Sequence, residues 1–306
     1  AWTEDTMAIS WSTTKGVTST ALHVLADRGE VDYDEPVATY WPEFAQAGKE
    51  HVTIRHLLCH QGGLHKLVGV IDHADEMLDW GHMVERLAAQ PSDPPAGTRS
   101  GYHALSYGWL VGEIVRRVTG RTIGEVVAEE LSGPLGLDLW IGLPESERHR
   151  VASLVAMRPE EASFDPSQLD PEIAPLLGDL ASAFLDPDSI LNRSLHLNGA
   201  FAGEGLSWNQ PEVWSSQIPA ANGITTARSL AKLYASTVSE VDGVRLLDDG
   251  TVDRAMVEHS NGRDRTLVIP TRFGLGFFLP SSFSPLMGEG SFGHAGAGGS
   301  LGFAHT

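Results

Sequence analysis

Apolar residues recur at helical spacing in several segments of the first half of the chain. After Ser12, the residues Val17, Ala21 and Leu25 share one helical face, and Gly29 follows as a stop signal. Thr53 stands before a shorter apolar pattern in the position of a helix cap. The spacing predicts four helices in this part of the chain, over residues 12–28, 53–59, 106–118 and 123–131.

The second half of the chain has a different pattern. Residues 159–214 are weakly periodic and rich in Pro, Ser, Asp and Gly, so we expect long loops with one short helix there. Helical spacing returns over residues 225–236. Beyond Gly262 the pattern favours strands separated by Gly, Ser and Pro turns, over residues 267–269, 273–279 and 290–303.

A helical middle followed by a strand-rich end is typical of an α+β fold. We expect a discontinuous sheet domain made of residues 1–30 and 216–306, and a mainly helical domain of residues 31–215 between them. The length of 306 residues suits one large domain or two that share a core.

Composition and charge exclude several classes of function. Apolar residues make up 42% of the chain and charged residues 20%, which is typical of soluble globular proteins. No run of eighteen apolar residues occurs, so we expect no membrane span. The net charge of −19 repels phosphate backbones and anionic lipid, so we expect no nucleic-acid partner. No signal peptide is visible; we expect a cytoplasmic protein, with secretion left open.

Ser12-Thr13-Thr14-Lys15 forms an S-x-x-K tetrad at the start of the first predicted helix. Residues three apart lie on one helical face, so the hydroxyl and the amine can meet. A serine hydroxyl needs an adjacent base, and a lysine serves as that base when burial lowers its pKa. The helix N-terminus adds unpaired N–H groups for a developing oxyanion. The tetrad makes Ser12 a candidate nucleophile.

Two other serines stand in motifs that resemble nucleophile signatures. Ser229-Leu230-Ala231-Lys232 is a second S-x-x-K tetrad, which we interpret as part of a surface helix with a solvated lysine. Gly298-Gly299-Ser300-Leu301-Gly302 matches the G-x-S-x-G nucleophile elbow, which requires a following helix. We interpret it instead as a small-residue strand that passes close to the site.

No metal or cofactor is expected. His56 and His60 have helical ligand spacing, but Leu57 occupies the position of the metalloprotease glutamate and no third ligand stands at a suitable spacing. Capping and hydrogen bonding explain these histidines better than zinc does. The single cysteine, Cys59, follows two leucines and is expected to be a buried, unreactive thiol.

Two further motifs follow Ser12 in order: Gly101-Tyr102-His103-Ala104 and, near the end, His294-Ala295-Gly296-Ala297. With the tetrad they resemble the serine β-lactamase and penicillin-binding-protein family, whose motifs are S-x-x-K, Y-x-N or S-x-N, and K-T-G. Three further segments, at residues 53–58, 60–64 and 95–98, also resemble sequences of this family. The likeness spans nearly the whole chain and is closest to the family VIII carboxylesterases.

The resemblance implies an antiparallel sheet flanked by helices, with a helical insertion. It also implies roles for individual residues. Ser12 would be the nucleophile, and Lys15 with Tyr102 would transfer protons. The backbone N–H groups of Ser12 and Ala297 would form the oxyanion hole, and the substrate would bind along His294, Ala295 and Gly296.

Two departures from the family pattern bear on the substrate. Ala104 replaces the asparagine of the second motif, and His294 with Ala295 replaces the Lys and Thr that hold the carboxylate of a β-lactam. We therefore expect hydrolysis of small carboxylic esters, with short acyl chains. The alternatives are a β-lactamase, a D-amino-acid peptidase or an acyltransferase on the same fold, and a non-catalytic scaffold. A monomer and a homo-oligomer both remain open.

The ends of the chain are short by comparison with this family. Only eleven residues precede Ser12 and ten follow Gly296, whereas relatives carry strands before the first motif and a strand plus a helix after the third. Loss of these pieces would expose sheet edges and apolar surface. We therefore expect that terminal segments are missing from this sequence.

Overall fold

The computed structural model describes residues 2–155, 171–196 and 206–306. Helices dominate this part of the chain, and the sequence-based prediction of a helical middle is confirmed. Helix α6 continues through a π-helical segment, Val127–Ser132, into α7. The helices are α1 Thr13–Asp27, α2 Val37–Tyr40, α3 Ile54–Leu58, α4 Trp80–Ala89, α5 Ser106–Thr119, α6 Ile123–Val126, α7 Gly133–Leu135, α8 Ala174–Leu185, α9 Pro211–Ser215, α10 Ala227–Val238 and α11 Asp249–Met256.

Helix α1 occupies the centre of the fold and is buried on every side from Thr13 to Ala26. Helix α5 packs on one side of it and the two C-terminal strands on another. Gly16 allows a close approach here, because a Cβ at that position would lie 2.0 Å from the Tyr234 hydroxyl. A helix surrounded by protein holds its side chains in fixed rotamers, which suits an element that carries a candidate nucleophile.

Local sequence signals explain where several helices begin and end. Thr53 caps α3 through a capping box with His56, as the sequence predicts. Thr226 caps α10 by accepting the N–H of Ser229. Gly120 ends α5 in the left-handed conformation at φ 70°, which glycine adopts without steric cost.

The strands are short and pair antiparallel. Strand β3 lies between β1 and β2, and β4 pairs with β5. Strands β6 and β7 form a hairpin in which His294 lies opposite Gly302. Helices combined with small antiparallel sheets confirm the predicted α+β class. The strands are β1 Ala8–Ile9, β2 Leu139–Trp140, β3 Ile224–Thr225, β4 Ser260–Arg263, β5 Pro270–Phe273, β6 Ser291–Ala295 and β7 Leu301–His305.

The strand predicted at residues 267–269 is wrong. The Asp264 carboxylate accepts the N–H groups of Thr266 and Leu267, which folds this segment into a turn. Val268 adopts a positive φ of 55° in that turn, and the strand begins only at Pro270. Leu267 and Ile269, two of the apolar residues that suggested a strand, instead line a cavity described below.

The predicted loop region contains more helix than expected. Helix α8 has twelve residues, and α9 adds five more. Pro175 and Gly178 obscure α8 in the sequence, although proline is tolerated in the first turn of a helix. The parts of this prediction that fall on residues 156–170 and 197–205 lie outside the described residues. The division into domains 1–30 with 216–306 and 31–215 stays a prediction.

No helix in the described ranges is both long enough and apolar enough to span a bilayer.

Candidate active site

Ser12 and Lys15 meet at the N-terminus of α1. The Lys15 Nζ lies 3.0 Å from the Ser12 Oγ, as their spacing on one helical face predicts. The same nitrogen donates to the carbonyl oxygens of Ala104 at 2.7 Å and Ala220 at 3.0 Å. Carbonyls only accept, so two N–H bonds of the amine are committed to them. In the neutral amine, the remaining lone pair is then directed at the Ser12 hydroxyl.

The surroundings of Lys15 favour that neutral form. Its side chain is fully buried. Within the described parts of the chain, no carboxylate lies within ion-pair distance of Lys15. Burial without a counter-ion disfavours the ammonium and lowers the pKa of Lys15 well below its usual range.

Tyr102 lies beside this pair. The Lys15 Nζ is 4.7 Å from the centre of the Tyr102 ring, and the ring stacks against Phe273 and Phe278. Burial raises the pKa of the Tyr102 phenol, and the neighbouring Ser12 hydroxyl offsets only part of this effect. The buried phenol therefore keeps its proton at neutral pH.

The segment that carries Tyr102 has no regular structure and is held by hydrogen bonds from other elements. The Gly101 N–H donates to the His60 carbonyl, and the His103 N–H donates to the His60 Nδ1. The Tyr102 N–H donates to the Asp264 Oδ1 at 3.0 Å. These contacts fix the backbone on either side of the phenol.

Asp264 is a site residue that the sequence analysis missed. Its Oδ1 accepts the N–H groups of Tyr102, Thr266 and Leu267, and its Oδ2 accepts the Ser100 hydroxyl. Burial raises the pKa of Asp264, and the backbone N–H groups oppose that shift. An aspartate that opens a turn two residues before a threonine is the only local sequence signal for this role.

His294 lies beneath Tyr102 rather than on a substrate-facing surface. Its side chain is buried, and its Nε2 lies 3.5 Å from the Tyr102 hydroxyl oxygen. Its Nδ1 lies 2.7 Å from the Ala295 carbonyl. Burial and the nearby Lys15 lower the pKa of His294 to about 3. The imidazole is therefore neutral, with its proton on Nδ1.

Gly296 and Ala297 bring the third motif against the start of α1. A Cβ at Gly296 would lie 2.4 Å from the Ser10 carbonyl oxygen, so only glycine fits. The backbone N–H groups of Ser12 and Ala297 have no acceptor within the described part of the protein. Two unpaired N–H groups beside a candidate nucleophile are an arrangement suited to stabilising an oxyanion.

A cavity of about 490 Å³ opens above Ser12. Among the described residues, none of the side chains that line it carries a formal charge. Ala295, Gly296 and Ala297 form part of its wall, whereas His294 does not. The other lining residues are Ser12, Tyr102, Leu180, Phe184, Leu191, Leu195, Leu267, Ile269, Pro270, Thr271, Phe278, Ser281, Phe283 and Ser284.

The rival serines have structural roles. Ser229 accepts the Thr226 hydroxyl and the Asp138 N–H at the start of α10. Lys232 is less solvated than predicted, because it donates to the Leu135 carbonyl and pairs with Asp242. The Ser300 hydroxyl donates to the Ser10 carbonyl at 2.6 Å, and a strand rather than a helix follows it. Ser300 therefore does not stand on a nucleophile elbow.

His56 and His60 do not share a ligand. His56 caps α3, and His60 accepts the backbone N–H of His103. In the described ranges, no group of three or more His, Cys, Asp or Glu residues could hold a metal ion. Cys59 is buried as predicted, and burial raises the pKa of its thiol to about 12.

The fold and the Ser–Lys–Tyr cluster together define a serine hydrolase of the beta-lactamase fold. A sequence profile of the Beta-lactamase family matches residues 1–305, and the chain belongs to that family. The resemblance inferred from the three motifs is confirmed.

Several known proteins are similar to this chain. It is 36% identical over 307 residues to the esterase/beta-lactamase LipL of Mycobacterium tuberculosis, covering 99% of this chain and 67% of that protein. The crystal structure of a family VIII carboxylesterase is 34% identical with a TM-score of 0.81, covering 100% of this chain and 76% of that one. A penicillin-binding protein homologue from Caulobacter crescentus is 37% identical with a TM-score of 0.77, covering 98% and 74%.

Proposed function

We propose that this protein hydrolyses carboxylic esters through an acyl-enzyme on Ser12. The observation that carries the proposal is the position of the Lys15 amine. Two carbonyls accept its N–H groups, and its Nζ lies 3.0 Å from the Ser12 Oγ, so the lone pair of the neutral amine faces that hydroxyl. A buried amine with a lowered pKa and a fixed direction is a general base for the hydroxyl that it faces.

In the first step, Lys15 takes the proton of Ser12 while the Ser12 Oγ forms a bond to the ester carbonyl carbon. The carbonyl oxygen becomes an oxyanion against the N–H groups of Ser12 and Ala297. The carbon–oxygen bond to the alcohol then breaks, and Tyr102 gives its proton to the leaving oxygen. The new Lys15 ammonium beside Tyr102 favours this transfer, because it stabilises the phenolate that remains.

In the second step, water attacks the acyl carbon. The Tyr102 phenolate and Lys15 together accept one proton from the water and return one to the Ser12 Oγ as the acyl bond breaks. The products are the carboxylic acid and the alcohol, and the three side chains return to their starting protonation states.

His294 acts through Tyr102 in this scheme. Its Nε2 lies 3.5 Å from the Tyr102 hydroxyl oxygen and is placed to accept the phenol O–H when no substrate is bound, which helps to hold the phenol in position. The lysine of the family's third motif would place a cation here, whereas the neutral imidazole places none. This difference supports uncharged esters over β-lactams and peptides with a carboxylate. The solved family VIII carboxylesterase is in keeping with ester hydrolysis, whereas the name of LipL covers both ester and β-lactam hydrolysis.

Mass spectrometry of the intact protein tests the proposal. During turnover of p-nitrophenyl butyrate, rapid acid quenching is expected to trap a butyryl adduct, which peptide mapping places on Ser12. The Ser12→Ala variant is expected to show neither adduct nor turnover. Full turnover by Ser12→Ala would contradict the proposal, and an inert wild-type protein would support the non-catalytic scaffold.

A further inference from the structure

The cavity above Ser12 has two apolar walls. One is a face of helix α8, which contributes Leu180 and Phe184, together with Leu195 from the π-helical segment Asn192–His196. The other comes from the sheet side and includes Leu267 and Phe278. The volume of about 490 Å³ lies in the range of pockets that enclose a whole small molecule rather than a single short acyl group.

The charge distribution restricts what these walls can hold. The protein carries a net charge of −19, yet among the described residues no charged side chain lines the cavity. Lys15 is not free to bind an anion, because its three directions are taken by Ser12, Ala104 and Ala220. A substrate carboxylate or ammonium would thus be desolvated without a partner.

Helix α8 also has a contact outside the cavity. Asp179 forms an exposed ion pair with Arg263 of strand β4 at 2.7 Å, and neither residue lines the cavity. Leu185 is 82% exposed and also does not line the cavity. One short helix therefore presents a pocket-facing leucine and a solvent-facing leucine five residues apart.

We propose that the ester substrate carries a bulky, apolar, uncharged group, larger than a butyryl chain, which packs between helix α8 and Phe278. This inference rests on the proposed function and departs from the short acyl chain that the sequence suggests. Leu180 and Phe184 are then specificity-determining residues. Each additional methylene that becomes buried is expected to raise kcat/KM by up to about fourfold until the cavity is full.

The test uses two series of esters at concentrations below micelle formation. In one, p-nitrophenyl esters run from acetate through butyrate and hexanoate to octanoate; in the other, acetate esters carry alcohols of increasing length. A rise of kcat/KM of at least about tenfold along either series supports the proposal. If acetate is the best acyl group and ethanol the best alcohol, the proposal is overturned while the esterase function stands.

Substitutions in helix α8 test whether this helix determines the preference for large substrate groups. Leu180→Glu is expected to lower kcat/KM for the longest good substrate by at least about tenfold more than it lowers kcat/KM for acetate. Leu185→Glu is the matched control on the same helix and is expected to change neither. Leu180→Trp, which fills the cavity without adding charge, is expected to move the optimum to shorter groups. Equal effects of Leu180→Glu on long and short esters would overturn the role of α8.

The two proposals fail in different ways. If the wild-type protein hydrolyses no ester in either series and Ser12 acquires no acyl group, both the esterase function and this specificity are overturned. If Ser12 is acylated but the rate is indifferent to chain length, only the specificity is overturned.

Discussion

The Tyr102 hydroxyl oxygen lies 3.5 Å from Nε2 of His294, and the other ring nitrogen faces the Ala295 carbonyl at 2.7 Å. A carbonyl cannot donate, so Nδ1 holds the ring proton and Nε2 offers a lone pair to the phenol. His294 thereby offers the Tyr102 O–H an acceptor, at the long end of the hydrogen-bond range. The family lysine could not accept this proton in its charged form.

His294→Phe is expected to lower kcat about tenfold with little change in KM. The loss of the acceptor that orients the Tyr102 phenol would raise the activation free energy by about 1.4 kcal/mol. His294→Gln is expected to recover part of this loss, since its amide oxygen can accept the phenol. Steady-state kinetics on a neutral ester, with thermal melting as a check on folding, measure both effects. Unchanged kcat in His294→Phe would show that the imidazole is only a packing residue.

The lowered pKa of Lys15 is expected to determine the pH dependence of the reaction. Burial lowers its pKa, and only the neutral amine acts as a base, so kcat/KM is expected to rise with pH and level off below the ordinary lysine range. The pKa of His294, about 3, is too low to produce this rise of kcat/KM with pH, so His294→Gln is expected to retain the rise, which is the basic limb of the profile. Disappearance of the limb in His294→Gln would contradict the assignment.

The same lowered pKa affects stability. From the folded pKa of Lys15 up to its unfolded pKa, the unfolded chain binds a proton that the folded protein does not, so stability rises with pH across that window. Lys15→Met is expected to flatten the dependence of melting temperature on pH and to abolish activity.

Lys49 supplies the control for Lys15. It is a second buried lysine that donates to the carbonyls of Gln46, Ala88 and Gln90, and burial lowers its pKa to about 8. Lys49→Met is expected to affect stability and to leave the shape of the rate profile unchanged.

The three candidate serines are separated by single substitutions. Ser12→Ala is expected to lower kcat by about 10⁴-fold or more, to the background of the remaining site. Ser229→Ala and Ser300→Ala remove hydrogen bonds and are expected to cost about 1 kcal/mol of stability each, while hydrolysis continues. Loss of turnover in folded Ser300→Ala at the level of Ser12→Ala would reassign the nucleophile.

Asp264→Ala is expected to loosen the segment that carries Tyr102. It leaves two buried N–H groups and one partly buried N–H group without an acceptor, at a cost of about 1–3 kcal/mol for each group that water does not reach. Asp264→Asn keeps one oxygen for those N–H groups and is expected to be much milder. Denaturant unfolding and kcat should change together, because the same contacts hold the fold and the phenol.

Gly296→Ala is expected to destabilise the protein by about 1–3 kcal/mol and to reduce activity, since the new methyl group would press on the Ser10 carbonyl. Gly250→Ala is the matched control. Gly250 lies in helix α11 with open space around it, and alanine there is expected to stabilise the protein by up to about 1 kcal/mol. Equal melting temperatures for the two variants would contradict the packing argument.

The sequence predicts those parts of the site that depend on short-range spacing. Ser12 and Lys15 lie on one helical face, and Thr53 and Gly120 mark helix ends that the structure reproduces. Tyr102 was found only from the order of three motifs. Asp264 was missed because its partners, apart from its own turn, belong to a segment more than 160 residues away in sequence.

Other parts of the site required tertiary information. His294 was expected to touch substrate. Successive side chains of strand β6 point to opposite faces of the sheet, and the His294 ring faces Tyr102 and does not line the cavity. Helix α8 was hidden by Pro175 and Gly178, so the apolar wall was not foreseen. Ala104 was noted only as a departure from the asparagine of the second motif, yet its carbonyl, which every residue type supplies, accepts from Lys15.

Because the Lys15 amine is held by carbonyls that lie 89 and 205 residues further along the chain, its basicity depends on tertiary structure that no fragment near Ser12 contains. A nascent or partly folded chain therefore carries Ser12 as an ordinary alcohol. Fluorophosphonate labelling of Ser12 would begin only after these distant segments have docked. The rate of labelling during refolding therefore measures the rate at which the native state forms.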